Sequence, residues 1–181
     1  MIGKYTKKYL KRRNFAEKMN YYLNIGTNIG DRHANIARAV AEIAERLGAQ
    51  PAVSAPIESE PWGFVSPHRF VNVGLRIESD AKPDEVLREL RAIEAAMGST
   101  SHRNADGSYA DRVVDIDIIA IDEMVIDTPE LTVPHPRMEQ REFVLAPMAE
   151  IAPEWHHPMN RLTAKELLER LARGQDAPCR P

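Results

Sequence analysis

The sequence predicts an α+β domain in which an antiparallel sheet carries two helices on one face. Three observations predict it. Two segments show a clean helical repeat of apolar residues, each closed by a glycine. Strand-like segments lie before, between and after them, giving the order βαββαβ. The composition, 43% hydrophobic and 28% charged over 181 residues, is that of one ordinary globular domain. It excludes collagen-like, coiled-coil and wholly disordered chains, and no apolar run approaches a membrane span.

Tyr21 to Ile25 reads as a strand and Gly26 to Gly30 as a turn. Asp31 is the expected N-cap of the first helix. Ile36, Val40, Ile43 and Leu47 recur on its apolar stripe, and Gly48 stops it. Val53 to Glu60 is strand-like, with Pro56 demanding an edge position or a bulge. From Phe70 to Ile77 the pattern alternates: Val71, Val73, Leu75 and Ile77 form a core face, and Phe70, Asn72, Gly74 and Arg76 the other. Pro83 opens the second helix, Val86, Leu87, Leu90, Ile93 and Met97 form its stripe, and Gly98 ends it. Ser99 to Asp111 is a polar loop of thirteen residues, a length compact domains keep for function. Val113 to Ile121 is the strongest strand, and Asp122-Glu123 is expected to turn it into a hairpin with Met124 to Ile126. The order is the split βαβ, ferredoxin-like pattern, with the second sheet face expected to stay open to a ligand. Pro129 to Pro158 is expected to wrap the domain with short helical turns. A last helix opens on the capping box Thr163 to Glu166 and buries Leu167, Leu168 and Leu171. Together these form a C-terminal hairpin and helix extension.

The net charge of -3 hides an asymmetry: residues 1–20 carry seven basic side chains against Glu17, or +6, so the rest carries 17 - 26 = -9. Residues 1–19 are expected to be a disordered basic extension, or the product of an upstream start with Met19 as the older one, since they lack the apolar stretch of a leader. Residues 20–175 are expected to be a single domain and 176–181 a tail. The one cysteine, Cys179, excludes an internal disulfide framework and fits a reducing, cytoplasmic compartment.

Asp115 and Asp117 lie two apart in an otherwise apolar strand, so both carboxylates share a face. Side by side they repel and resist desolvation, and a hard divalent cation removes both objections. Mg²⁺ held by one or two carboxylates together with phosphate oxygens makes the pair a candidate nucleotide-metal site; a solvated face is the plainer alternative. Cationic groups crowd around it: His102, Arg103 and Arg112 before, His135, Arg137 and Arg141 after. Phosphates need such donors. Trp62, in Ser59-Glu-Pro-Trp-Gly63, either stacks on a ligand or plugs the core edge. Asn72 shares its face with Phe70, as an amide reading a flat heterocycle would. Gly26 to Gly30 is no P-loop, and His156-His157 and His33 lack zinc-ligand spacing and read as solvated.

From about Tyr21 to Pro158 the chain resembles the 6-hydroxymethyl-7,8-dihydropterin pyrophosphokinases. The matching pieces are Leu23-Asn-Ile-Gly-Thr-Asn-Ile-Gly-Asp31, Glu60-Pro-Trp-Gly63 with Phe70-Val-Asn72, Asp111-Arg-Val-Val-Asp-Ile-Asp117, and Leu131-Thr-Val-Pro-His-Pro-Arg-Met138 continuing to Arg141-Glu-Phe143. The resemblance implies a ferredoxin-like fold and a diphosphotransferase that moves the diphosphate of ATP onto the pterin alcohol, releasing AMP, in folate biosynthesis. It implies Asp115 and Asp117 as ligands of two Mg²⁺ ions, with Arg112 at the migrating diphosphate. Asn72, Phe70, Phe143, Pro61, Trp62 and Tyr109 would hold the pterin. Leu87, Glu94, His102, Arg103, Ile118, Thr132, His135 and Arg141 would hold ATP. Ser99 and Ser101 stand where many members carry arginines, Tyr109 where a tryptophan is common, and Pro136 where a tyrosine is. A monomer that binds neither nucleic acid nor membrane is expected. A ferredoxin-like RNA-binding module would place aromatics where Asp115 and Asp117 stand, and a regulatory domain without catalysis leaves that pair unexplained.

Overall fold

The computed structural model describes residues 18–99 and 111–174. Residues 1–17 of the expected arm, His102, Arg103, Tyr109 and the tail with Cys179 lie outside them.

A five-stranded antiparallel sheet forms the centre. Strand β1 (Met19–Thr27) runs between β4 (Phe70–Ser79) and β5 (Asp115–Ile121), and two short strands, β2 (Ala52–Val53) and β3 (Ile57–Ser59), both pair with β4 at the outer edge. Helices α1 (Arg32–Leu47) and α2 (Pro83–Ala96) cover one face. Their boundaries follow the capping chemistry. Asp31 accepts a hydrogen bond from the Ala34 N–H, Gly48 takes the left-handed conformation at φ 58°, and the Glu85 carboxylate accepts from the Lys82 N–H ahead of Pro83. Leu23, Ile25, Ile43, Leu75, Leu90 and Ile93 close the core beneath these helices, each almost fully buried and each contributing about 1.5–3 kcal/mol. The topology is the expected α+β, ferredoxin-like one.

Four local expectations are corrected. The segment Val53 to Glu60 is two strands, because Pro56 has no N–H to give and Ser54 turns its side chain in to accept from the Gly74 N–H. Met124 to Ile126 does not pair back on β5. Asp122 turns the chain at φ 43°, and β6 (Ile126–Asp127) pairs instead with the next strand, β7 (Thr132–Val133). The second sheet face is only half open. A full helix, α3 (Glu142–Ile151), lies against β4 where Gly74 leaves room; a Cβ there would come within 2.8 Å of the Pro147 Cβ. Helix α4 (Ala164–Ala172), opened by the predicted Thr163–Glu166 box, packs behind α3, and Tyr22, Ile119, Leu145, Met148, Trp155 and Leu167 form a second core between them. His157 is buried in that layer at 7% exposure, edge-on to Trp155, and is not the solvated histidine its spacing suggested.

Candidate active site

The half of the sheet that α3 leaves bare is the floor of a cavity of about 520 Å³. Strand register sets out its side chains in two rows. Gly26 stands between Asn72 on β4 and Asp115 on β5, and Asn24 stands between Gly74 and Asp117. The predicted alternation of β5 holds: Ile116 and Ile118 point into the first core while both aspartates face the cavity.

Each carboxylate has its own guanidinium. Arg112, only 8% exposed, approaches Asp115 Oδ2 at 2.6 Å, and Arg141 approaches Asp117 Oδ2 at 3.6 Å. These arginines offset the repulsion between the aspartates, so a cation is not required to keep the pair in place. The donor set nevertheless fits one. Among the described residues no group of three or more His, Cys, Asp or Glu forms a cage, and two carboxylates with spare lone pairs suit a hard ion that takes its other oxygens from phosphate and water.

Glu94 at the end of α2, 5% exposed, accepts from the Ile116 N–H at 2.7 Å and so pins the backbone between the two aspartates. Ser99 Oγ accepts from the Val114 N–H at 3.1 Å; where relatives were expected to carry an arginine, this chain ties α2 to the entry of β5. Asn28 completes the frame. Its Oδ1 accepts from the Arg112 N–H at 2.8 Å and its Nδ2 donates to Asp111 at 2.6 Å, joining the turn after β1 to the chain entering β5.

One end of the cavity is aromatic. Phe64 meets Phe70 edge to face with ring centres 6.2 Å apart, and Trp62 carries the Arg141 guanidinium over its ring at 4.7 Å and that of Arg137 at 5.6 Å. Trp62 therefore lines the cavity and is no plug of the core. Asn72, 2% exposed, donates through Nδ2 to Ser59 Oγ at 3.0 Å, which leaves its Oδ1 over Gly26 as an acceptor. Phe143 lies on the far side beneath Arg141. Leu87, Arg91 and Glu94 of α2, Ile118 of β5 and Thr132 of β7 line the cavity as well.

His135 also lines the cavity. Burial, then the Arg141 and Arg137 guanidiniums, push it down to about 4, so at neutral pH it is an uncharged donor and not one of the cations counted in the sequence. Its Nδ1 accepts from the Arg137 N–H at 3.1 Å, which puts the proton on Nε2.

The cavity thus brings together Trp62, Phe70, Asn72 and Phe143; Leu87, Glu94, Ile118, Thr132, His135 and Arg141; and Arg112, Asp115 and Asp117. Pro61 sits beside Trp62 without lining it. Arg137, counted among the cationic groups around the aspartates, lines it too, as do Asn24 and Phe64, to which sequence reasoning gave no role. The polar Asn24 in a buried strand was the one signal that could have pointed to its place.

Comparison with known proteins identifies the family. The family model described as 7,8-dihydro-6-hydroxymethylpterin-pyrophosphokinase matches residues 22–153. A 2-amino-4-hydroxy-6-hydroxymethyldihydropteridine pyrophosphokinase of Porphyromonas gingivalis is 42% identical over 138 residues, covering 76% of this chain and 92% of that protein. Its namesake in Aquifex aeolicus is 35% identical over 145 residues, 80% of this chain and 88% of that protein. Among solved structures, an HPPK-DHPS in complex with substrates superposes with a TM-score of 0.66 at 12% identity, covering 88% of this chain and 44% of that one. The Plasmodium falciparum HPPK-DHPS with pteroate gives 0.65 at 13% identity, covering 89% and 45%. The chain therefore spans less than half the length of those structures, which speak for the fold alone. The likeness read from four motifs is borne out, and the chain belongs to the 7,8-dihydro-6-hydroxymethylpterin-pyrophosphokinase family.

Proposed function

We propose that the protein transfers the diphosphate of ATP to the hydroxymethyl group of 6-hydroxymethyl-7,8-dihydropterin, releasing AMP, in folate biosynthesis. The observation that carries this reading is the pair Asp115 and Asp117, each beside an arginine, in one cavity with the aromatic rings of Trp62, Phe70 and Phe143 and the Asn72 amide. The substrate hydroxyl oxygen forms a bond to the β-phosphorus as the bond from that phosphorus to the AMP oxygen breaks; the hydroxyl proton leaves to solvent. Asp115 and Asp117 would hold two Mg²⁺ ions, which neutralise phosphate charge and draw the phosphates into line.

The chain's own groups supply the rest. Phe70 and Phe143 bracket the pterin, the Asn72 Oδ1 accepts from its edge, and Trp62 and Pro61 close the loop beside it. Arg112, Arg141 and the neutral His135 Nε2–H donate to phosphate oxygens that gain charge in transfer. Leu87, Glu94, Ile118 and Thr132 seat the nucleoside. Tyr109 is proposed to contact the pterin and His102 and Arg103 the ATP; all three lie outside the described residues. The protein is proposed to act as a monomer in the cytoplasm, binding neither nucleic acid nor membrane; no helix among the described residues is long and apolar enough to cross one. Residues 20–175 are proposed to be the working domain, and residues 1–18 dispensable for activity.

The test is product analysis. AMP and a pterin diphosphate should form from ATP only when Mg²⁺ and hydroxymethyldihydropterin are both present. Formation of ADP, or AMP release that ignores the pterin, overturns the proposal.

A further inference from the structure

Asn24 is a costly residue in its place. It lies in the central strand at 6% exposure and lines the cavity, yet its Oδ1 is buried without a hydrogen-bond partner. Such a group costs about 1–3 kcal/mol relative to a paired one. Its strand neighbours cannot satisfy it. On one side is Gly74, which has no side chain; on the other is Asp117, an acceptor whose side chain is engaged by Arg141. Above Gly74 lies the apolar Pro147. The amide is therefore held at the cavity floor with an unmet hydrogen bond.

Its position on the floor says which ligand atoms it faces. Asn72 and Asp117 stand diagonally across the two rows, with Gly26 and Asn24 between them. Gly26 must remain bare, since a Cβ there would lie 3.0 Å from the Asn72 Oδ1. A molecule whose ring is taken by Asn72 and whose reacting oxygen reaches Asp117 as well as Asp115 crosses Gly26 and passes beside Asn24.

We propose that Asn24 is a substrate-binding residue: its amide hydrogen-bonds the heterocycle at the end that bears the hydroxymethyl group, and so aims the attacking oxygen. The amide can offer either its oxygen or its nitrogen, so a donor or an acceptor at that ring position satisfies it. The inference rests on the function proposed above and assigns a contact that reading did not include.

The experiment compares the full chain with Asn24→Leu, which keeps the branched shape and removes the polar atoms, and Asn24→Ala, which serves if leucine overpacks. Fluorescence titration with 6-hydroxymethylpterin is done at saturating Mg²⁺ and a non-hydrolysable ATP analogue. The pterin dissociation constant is expected to rise roughly tenfold in both variants, the loss of one hydrogen bond. Affinity for the ATP analogue with Mg²⁺ should not change, and the Tm of Asn24→Leu without ligands should equal or exceed that of the wild type. A merely structural amide would lower Tm and leave pterin affinity alone. Unchanged pterin affinity, or lost nucleotide affinity with pterin affinity intact, overturns the proposal while leaving the function standing. A wild-type chain that binds no pterin overturns both.

Discussion

Replacing Asn28 by alanine removes the side-chain part of the tie between the turn after β1 and the chain entering β5, leaving the backbone bond from the residue-28 N–H to the Arg112 carbonyl at 3.3 Å. Its side chain, in a residue 3% exposed, meets the Arg112 N–H at 2.8 Å, Asp111 at 2.6 Å and, more loosely, the His68 carbonyl at 3.4 Å. Asp111 is exposed and regains water, but Arg112 is buried and its N–H loses the Asn28 acceptor. That loss is worth about 2 kcal/mol, and for a domain of this size it lowers Tm by roughly 4–8 °C. Arg112 is also the partner of Asp115 at 2.6 Å, so loosening its backbone displaces a guanidinium from the proposed phosphate path. Turnover should fall by about ten- to a hundredfold, a misplacement effect. Asn28→Asp should be impaired too, although it keeps the acceptor for Arg112, because it sets one carboxylate against that of Asp111. Differential scanning fluorimetry and pterin-dependent AMP release read both effects. A Tm and a turnover unchanged in Asn28→Ala would refute the reasoning.

Three further outcomes are expected. Asp117→Ala should lower turnover about a hundredfold or more with little change in Tm, because the carboxylate is about a third exposed and its arginine is 3.6 Å away; near wild-type turnover would remove its metal role. Gly74→Ala should destabilise the protein by about 1–3 kcal/mol, since the new methyl would meet Pro147 at 2.8 Å, and calorimetry showing no loss would mean α3 moves freely on the sheet. His135 titrates at about 4 in the folded chain against 6.5 ordinarily, so the unfolded chain binds more protons between those values. Its share of stability is present above about pH 6.5 and lost as pH falls toward 4, by at most about 3 kcal/mol, and the buried His157, also pushed down by burial, acts in the same sense. Without nucleotide, His135→Gln should flatten the Tm profile between pH 7 and 5; a profile as steep as the wild type would refute the assignment.

The sequence was legible where structure is local. The caps of α1 and the box opening α4 are side chains a few residues from the backbone they bind, and the face alternation of β4 and β5 follows from a period of two. It was illegible where a partner is distant. Nothing near Gly74 names Pro147, seventy-three residues on, as the group that needs its space, and even the short hairpin of Ile126 with Val133 was missed because Asp122-Glu123 offered a competing turn. His157 was misread because its burial comes from packing against Trp155 in a layer with no periodic signature. In the site, the carboxylate pair, the arginines and Asn72 stood out as polar residues in apolar strands. Phe64 did not, since a loop phenylalanine is unremarkable until the fold aims it at the cavity.

The cavity is roofed and floored by parts of the chain that belong to different cores. Asp115, Asp117 and Asn72 rise from the sheet packed under α1 and α2, whereas His135, Arg137 and Arg141 are carried on the stretch between β7 and α3 that leads into the second core. A ligand touching both sets acts as a non-covalent cross-link between two packing units. By mass action its binding energy is then added to whatever holds those units together. Substrate saturation should therefore protect the amides of α3 and α4 from hydrogen exchange, although neither helix's far side meets the ligand, and unfolding should become more nearly all-or-none.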